Sequence, residues 1–143
     1  MARRDFVALG VAAVSLGACA GARYVVPRAS EGRLLAPLAA LDQAGEVFLQ
    51  ASGMQRPVYV RRLASGEITA VLASCTHQGC QPEPVADRLA CPCHGSEFAF
   101  DGRVLQGPAE RPLTRYEVTV EGGELVVWLE RAGASGASGS TGA

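Results

Sequence analysis

Both histidines of this chain and four of its five cysteines lie in two six-residue stretches, Cys75-Thr76-His77-Gln78-Gly79-Cys80 and Cys91-Pro92-Cys93-His94-Gly95-Ser96. Any fold the chain adopts must serve that concentration of thiols and imidazoles, which a short spacer divides into two loops. Three kinds of chemistry compete for the pattern. Zinc in a Cys₂His₂ set would use Cys75, His77, Cys91 and His94 and leave Cys80 and Cys93 without a purpose. A plain disulfide framework, common in small exported domains, would employ the cysteines but not two histidines at matching places. A [2Fe–2S] cluster with mixed cysteine and histidine ligation would employ all six.

The surrounding sequence favours short strands and turns. With 143 residues there is room for one domain of about 100 residues plus extensions. Seventeen glycines and eight prolines suit a turn-rich β protein better than a helical bundle. A formal net charge of −1 gives no bulk attraction for nucleic acid, and the basic residues are all arginine. Glu46-Val47-Phe48-Leu49, Pro57 to Leu63 and Ile68 to Leu72 read as strands, with Ser65-Gly66-Glu67 as a turn between the last two. Tyr116 to Val120 alternates polar and apolar residues, Glu121-Gly122-Gly123-Glu124 turns the chain, and Leu125 to Leu129 returns, which predicts a β-hairpin. Phe48, Tyr59, Val118, Val120 and Trp128 are the core candidates. The folded head is predicted to be all-β.

The two ends differ in character from this body. Met1 to Val7 carries Arg3 and Arg4 and leads into an uncharged run from Phe6 to Ala22, the order of an export signal. Arg3-Arg4-x-Phe6-Val7 resembles a twin-arginine signal, with an ordinary secretory signal as the plainer alternative. Leu16-Gly17-Ala18-Cys19 resembles a bacterial lipobox, which makes Cys19 a candidate for lipidation. Two rivals are an uncleaved membrane anchor, for which the run is slightly short of the ~20 residues a span needs, and a Cys19 that is merely small and buried. Two acyl chains on Cys19 would suffice for stable anchoring. Residues 1–19 are therefore read as signal or anchor. Residues 20–33 are read as a flexible tether, with an extended reach of about 46 Å and a coil-like span nearer 20 Å. From Ala132 to Ala143 only Ala, Gly, Ser and Thr occur, which predicts a disordered tail.

Taken together, C-T-H-x-G-C, C-P-C-H-G-S and the downstream Gly107-Pro108-Ala109 resemble the Rieske iron–sulfur proteins of the disulfide-bearing type found in quinol:cytochrome c reductases. The resemblance covers residues 34–131, with a cluster-binding part at about 73–109. It implies an antiparallel β-sandwich or barrel with a small subdomain of two loops holding one [2Fe–2S] cluster. It further implies thiolate ligation by Cys75 and Cys91, imidazole ligation by His77 and His94, and a Cys80–Cys93 disulfide. His94 is the residue the resemblance assigns to a hydrogen bond with quinol, His77 being the second exposed candidate. Ser96 matches a serine that donates to a bridging sulfide, and Pro108 a loop that covers the cluster. Two positions depart from the pattern. Phe98 stands where high-potential members carry a tyrosine, which implies a lower midpoint, and Gln78 stands where quinol-linked members usually carry an apolar residue.

The function implied is that of a membrane-anchored electron carrier on the outer face of a bacterial cytoplasmic membrane. Its leading assignment is the iron–sulfur subunit of a bc-type complex, working with a cytochrome b-type subunit, quinol and a c-type cytochrome. It would not be catalytic alone. The alternatives are a free-standing lipid-anchored Rieske carrier, the small subunit of an arsenite-oxidase-like molybdoenzyme, and, more distantly, a zinc-stapled binding module. A soluble oxygenase ferredoxin fits poorly with the loop cysteines and the export signal.

Overall fold

The computed structural model describes residues 22–134, and the signal or anchor at 1–19 lies outside them. Twelve strands and one short helix follow in the order β1 (Arg23–Val25), β2 (Arg28–Ser30), β3 (Arg33–Pro37), α1 (Leu38–Ala44), β4 (Glu46–Leu49), β5 (Val58–Arg62), β6 (Ile68–Leu72), β7 (Glu83–Val85), β8 (Arg88–Ala90), β9 (Glu97–Phe98), β10 (Val104–Gln106), β11 (Thr114–Glu121) and β12 (Glu124–Ala134). Eight strands form one sheet in the order β1-β4-β5-β6-β11-β12-β3-β2, and four form a smaller sheet in the order β10-β9-β8-β7. All pairings are antiparallel except that of β1 with β4. The fold is thus all-β, as expected. Among the described residues no helix is long and apolar enough to cross a membrane.

Strands β4, β5 and β6 are buried on both faces, and their period of two sorts their side chains between two cores. Val47, Leu49, Val58, Val60 and Ala70 face one apolar cluster, which α1 closes with Leu41. Phe48, Tyr59 and Val71, paired in register across the same three strands, face the other way. There they meet Leu89 and Phe98 of the small sheet, together with Cys75 and Cys91. The three strands form a common wall between the main core and the subdomain that carries both loops.

The hairpin forms where expected, with Gly122 and Gly123 both at positive φ, as its two-residue turn requires. Its apolar residues are less uniformly buried than expected. Val118 is half-buried against the main core, whereas Val120 is 48% exposed. The reason is that β6 pairs with β11 only at Arg115 and Tyr116, leaving the rest of that edge uncovered. Trp128 is also only half-buried. It lies on the opposite side of β12 from Leu125 and Val127, between the guanidinium groups of Arg33 and Arg131 (5.1 and 4.0 Å to the ring centroid), and its Nε1 donates to Thr119 Oγ1.

Two boundaries change, and one helix is added. Residues 23–25 and 28–30, within the stretch assigned to a flexible tether, are instead strands of the large sheet. Tyr24 stacks on Phe48 with ring centroids 5.0 Å apart, and its hydroxyl accepts a hydrogen bond from Gln81 Nε2 at 2.6 Å. Arg28 pairs with Glu124. Those contacts stabilise strands too short to hold a shape alone. At the other end, Ala132 to Ala134, assigned to the tail, extend β12 opposite Thr114 to Tyr116; residues 135–143 lie outside the described chain. Helix α1 was not foreseen. It starts after Pro37 and stops at Gly45, which adopts the left-handed conformation and donates its N–H to the Leu41 carbonyl at 2.7 Å.

Because Phe48 fills the wall between Tyr24 and Tyr59, Phe48→Ala is expected to cost about 3–5 kcal/mol in urea unfolding. Val120→Thr, on the uncovered edge, is expected to stay within about 0.5 kcal/mol of the parent. Equal effects at the two positions would contradict this account of the wall.

Candidate metal centre

Each loop follows the end of a strand. Loop 1 (75–80) follows β6, and loop 2 (91–96) joins β8 to β9. The two loops repeat one backbone pattern. The N–H of Cys75 donates to the Cys80 carbonyl at 2.8 Å and that of Gly79 to the Cys75 carbonyl at 2.7 Å. In loop 2 the N–H of Cys91 donates to the Ser96 carbonyl at 2.8 Å and that of Gly95 to the Cys91 carbonyl at 3.1 Å. Gly79 (φ 77°) and Gly95 (φ 81°) both take the left-handed conformation that the turn needs and that glycine adopts without strain.

This duplicated turn sorts the donor groups by depth. Cys75 and Cys91, first in each loop, point inward and are 4% and 3% exposed. His77 and His94 lie at the surface, their rings edge to face with centroids 4.8 Å apart. Cys80 and Cys93 are joined by a disulfide, the pairing the resemblance implied, with Cα atoms 6.4 Å apart. The Cys91 sulfur and both disulfide sulfurs lie within 4.8 Å of one another. All six residues singled out in the sequence therefore meet at one end of the molecule.

The surroundings suit a group that is held by sulfur and accepts hydrogen bonds. Burial pushes the Cys91 thiol up, as does its hydrogen bond with Cys75, while the backbone N–H groups of Cys93 and His94, aimed at the same sulfur, work in the opposite direction. Such N–H donors favour a thiolate or metal-bound sulfur over a thiol. Ser96 is fully buried and its Oγ accepts the Ala109 N–H at 2.9 Å. Its hydroxyl hydrogen has no protein acceptor among the described residues. A buried donor without a partner calls for a further acceptor at this spot. Phe98 is fully buried in the apolar group that includes Cys75 and Cys91, and offers that group no polar atom.

Gly107-Pro108, joined by a cis peptide bond, runs past the same end. Thr76 Oγ1 donates to the Arg111 carbonyl at 2.5 Å and fixes this segment to loop 1. Thr76, His77, Pro108, Glu110 and Arg111 bound a hollow of about 300 Å³. Gln78 is exposed beside the histidines. Side chains that hold the loops from outside had no sequence signal. Arg56 donates from Nε to the Gly79 carbonyl at 2.8 Å, and Gln106 from Nε2 to the Gly95 carbonyl at 3.1 Å. Both come from distant turns or strands whose local pattern says nothing of the loops.

The donor set by itself fits either zinc or a mixed-ligand iron–sulfur cluster, and likeness to known proteins separates them. Residues 31–117 match the family model described as the Rieske [2Fe-2S] domain. The cytochrome b6-f complex iron-sulfur subunit of Chlorobaculum tepidum is 47% identical over 64 residues, which are 43% of this chain and 35% of that protein. The cytochrome b6-f complex iron-sulfur subunit 2 of Trichormus variabilis is 34% identical over 98 residues, 60% of this chain and 54% of that one. These stretches amount to about a third to a half of the curated relatives' length. The solved plasma membrane Rieske protein PetC3 from the cyanobacterium Synechocystis PCC 6803 superposes with a TM-score of 0.56 at 40% identity, covering 64% of this chain and 93% of that one. With both loops, the buried thiol pair and this match in agreement, the chain belongs to the Rieske [2Fe–2S] domain family, whose cofactor is one Rieske-type [2Fe–2S] cluster.

Proposed function

We propose that the protein is a one-electron carrier that takes electrons from quinol as the iron–sulfur subunit of a quinol-oxidising cytochrome complex and passes them to a c-type cytochrome. The observation that carries this reading is the depth ordering of the centre, with two thiols buried and two imidazoles edge to face at the surface. Cys75 and Cys91 would hold one iron from the interior, where the apolar cluster that includes Phe48, Tyr59, Phe98 and Leu113 keeps water out. His77 and His94, both exposed, would hold the other iron at the tip, within reach of a partner. When bound, a cluster of this ligation supplies one-electron redox chemistry at roughly −150 to +300 mV, against about −400 mV for all-cysteine plant-type clusters.

The chain's own groups set where in that range the protein works. Neutral imidazoles in place of thiolates lower the negative charge at the tip. With the nitrogen not held by iron deprotonated, the His94 ring would accept a hydrogen bond from a quinol hydroxyl and take its proton as one electron leaves the quinol for the cluster, which returns the ring to the neutral imidazole. The Ser96 hydroxyl, whose oxygen already accepts the Ala109 N–H, would have its hydrogen free to donate to a sulfur of the cluster. Phe98 lacks the second donor. The Cys80–Cys93 disulfide ties the loops so that the four donors keep their places.

A membrane attachment through residues 1–19, with Cys19 lipidated after twin-arginine export, places this centre on the outer face of the cytoplasmic membrane. A free-standing plasma-membrane carrier is the second reading. Two observations favour it: the chain matches 93% of the cyanobacterial plasma membrane Rieske protein, and polar Gln78 is exposed at the tip where an apolar docking surface is expected.

Four measurements test these statements. The purified protein is expected to contain iron and acid-labile sulfide in equal amounts, and Cys75→Ser or Cys91→Ser to lose both; zinc without sulfide would establish the stapled module instead. Phe98→Tyr is expected to raise the midpoint by roughly 40 mV, the equivalent of one hydrogen bond of about 1 kcal/mol. No upward shift would refute the tuning role of this position. Isolation from membranes through this chain is expected to bring b-haem absorbance with it, and the mature N-terminus to have the mass of a lipidated Cys19. Recovery without b haem would support the free-standing carrier, and an unlipidated Met1 or Ala2 terminus would remove the lipoprotein reading.

A further inference from the structure

The two loops are duplicates in backbone and unequal in what holds them. The left-handed glycine of each presents its carbonyl to one outside side chain, Gly79 to Arg56 and Gly95 to Gln106. Only the first of these donors is charged. Arg56 stands in the turn before β5, 23 residues from Gly79. Unlike Arg61 and Arg62, which pair with Glu46 and Asp42, it has no carboxylate partner among the described residues. Its one further contact is a long one, from Nη1 to the Gln55 carbonyl at 3.4 Å. The guanidinium is therefore committed to the backbone of loop 1 with its charge uncompensated.

Two consequences follow from elementary electrostatics. A charged donor holds a carbonyl more strongly than a neutral amide does, so loop 1 is pinned more firmly than loop 2. A fixed positive charge against the loop that carries Cys75 and His77 also favours any centre there gaining an electron. Gln106 provides the same kind of contact without the charge.

We propose that Arg56 is a positioning residue for the cluster: its guanidinium pins loop 1 through the Gly79 carbonyl, and its charge raises the potential at which the centre accepts an electron. The inference rests on the ligation proposed above.

Redox titration of the full-length, cluster-containing protein tests the charge, and hydrogen–deuterium exchange tests the pinning. At a fixed ambient potential, Arg56→Gln is expected to lower the reduced-to-oxidised ratio roughly threefold to tenfold, tenfold being about 59 mV for one electron. That difference is expected to shrink at high salt, because the guanidinium is exposed. Arg56→Lys keeps most of the potential, and Gln106→Ala changes it little. A Gln variant that titrates like the parent, or a Lys variant that falls as far as the Gln one, overturns the charge role. Arg56→Ala is expected to speed amide exchange across Thr76 to Cys80 more than across Cys91 to Ser96; equal acceleration overturns the pinning, and this readout does not depend on a loaded cluster. A parent protein without iron and sulfide would overturn the ligation itself, an outcome visible before any variant is made.

Discussion

Two buried thiols can face one centre only if both loops that carry them rest on a common floor. Here that floor is a single row of side chains, Phe48, Tyr59 and Val71, drawn from three adjacent strands in register. The alternation of a β-strand does the sorting, because the neighbours Val47, Val60 and Ala70 point into the other core. A one-residue slip in any of these strands would exchange the two sets. It would place Val60 or Val47 beneath the cysteines and turn the aromatic rings into the main core. The register of the wall thus determines whether the chain has a centre at all.

On that floor the loops achieve their asymmetry of depth with almost no specialised structure. The same two backbone hydrogen bonds and the same left-handed glycine occur in each. What differs is the residue at each place along the turn. In both loops the first position looks inward and carries a cysteine, while the third and fourth positions, His77 and Gln78 in one and Cys93 and His94 in the other, are exposed. Water exclusion on one side and partner access on the other are thereby built into one short turn used twice.

The sequence carried the parts of this arrangement that depend on neighbours in the chain. Loop spacing, the hairpin turn at Gly122-Gly123 and strands β4 to β6 are local patterns, and they stand where the pattern put them. The parts that failed depend on distant partners. Tyr24 belongs to a strand only because Phe48 and Gln81 are there to receive it, so residues 23–30 looked like a tether. Val120 looked like core because nothing local reveals that β6 ends before reaching it. Helix α1 had a proline before it and a glycine after it, but only Leu41 among its residues is fully buried, too little for a periodic signal. At the centre itself the donors were legible and their supports were not. Arg56, Gln106 and the Ala109 N–H that binds Ser96 reach the loops from elsewhere in the fold.

The parallel strand β1 bears on the attachment proposed at Cys19. Ala22, just before it, packs into the same apolar group as Cys80, on the side of the molecule that holds the centre. An anchor at Cys19 would be only three residues away, a reach of about 10 Å when extended. The sheet would then act as a short leash, holding the tip near the bilayer surface. Under that attachment, any wider swing of the head would have to peel Tyr24 from Phe48 first, and the stability of one edge strand would set its range.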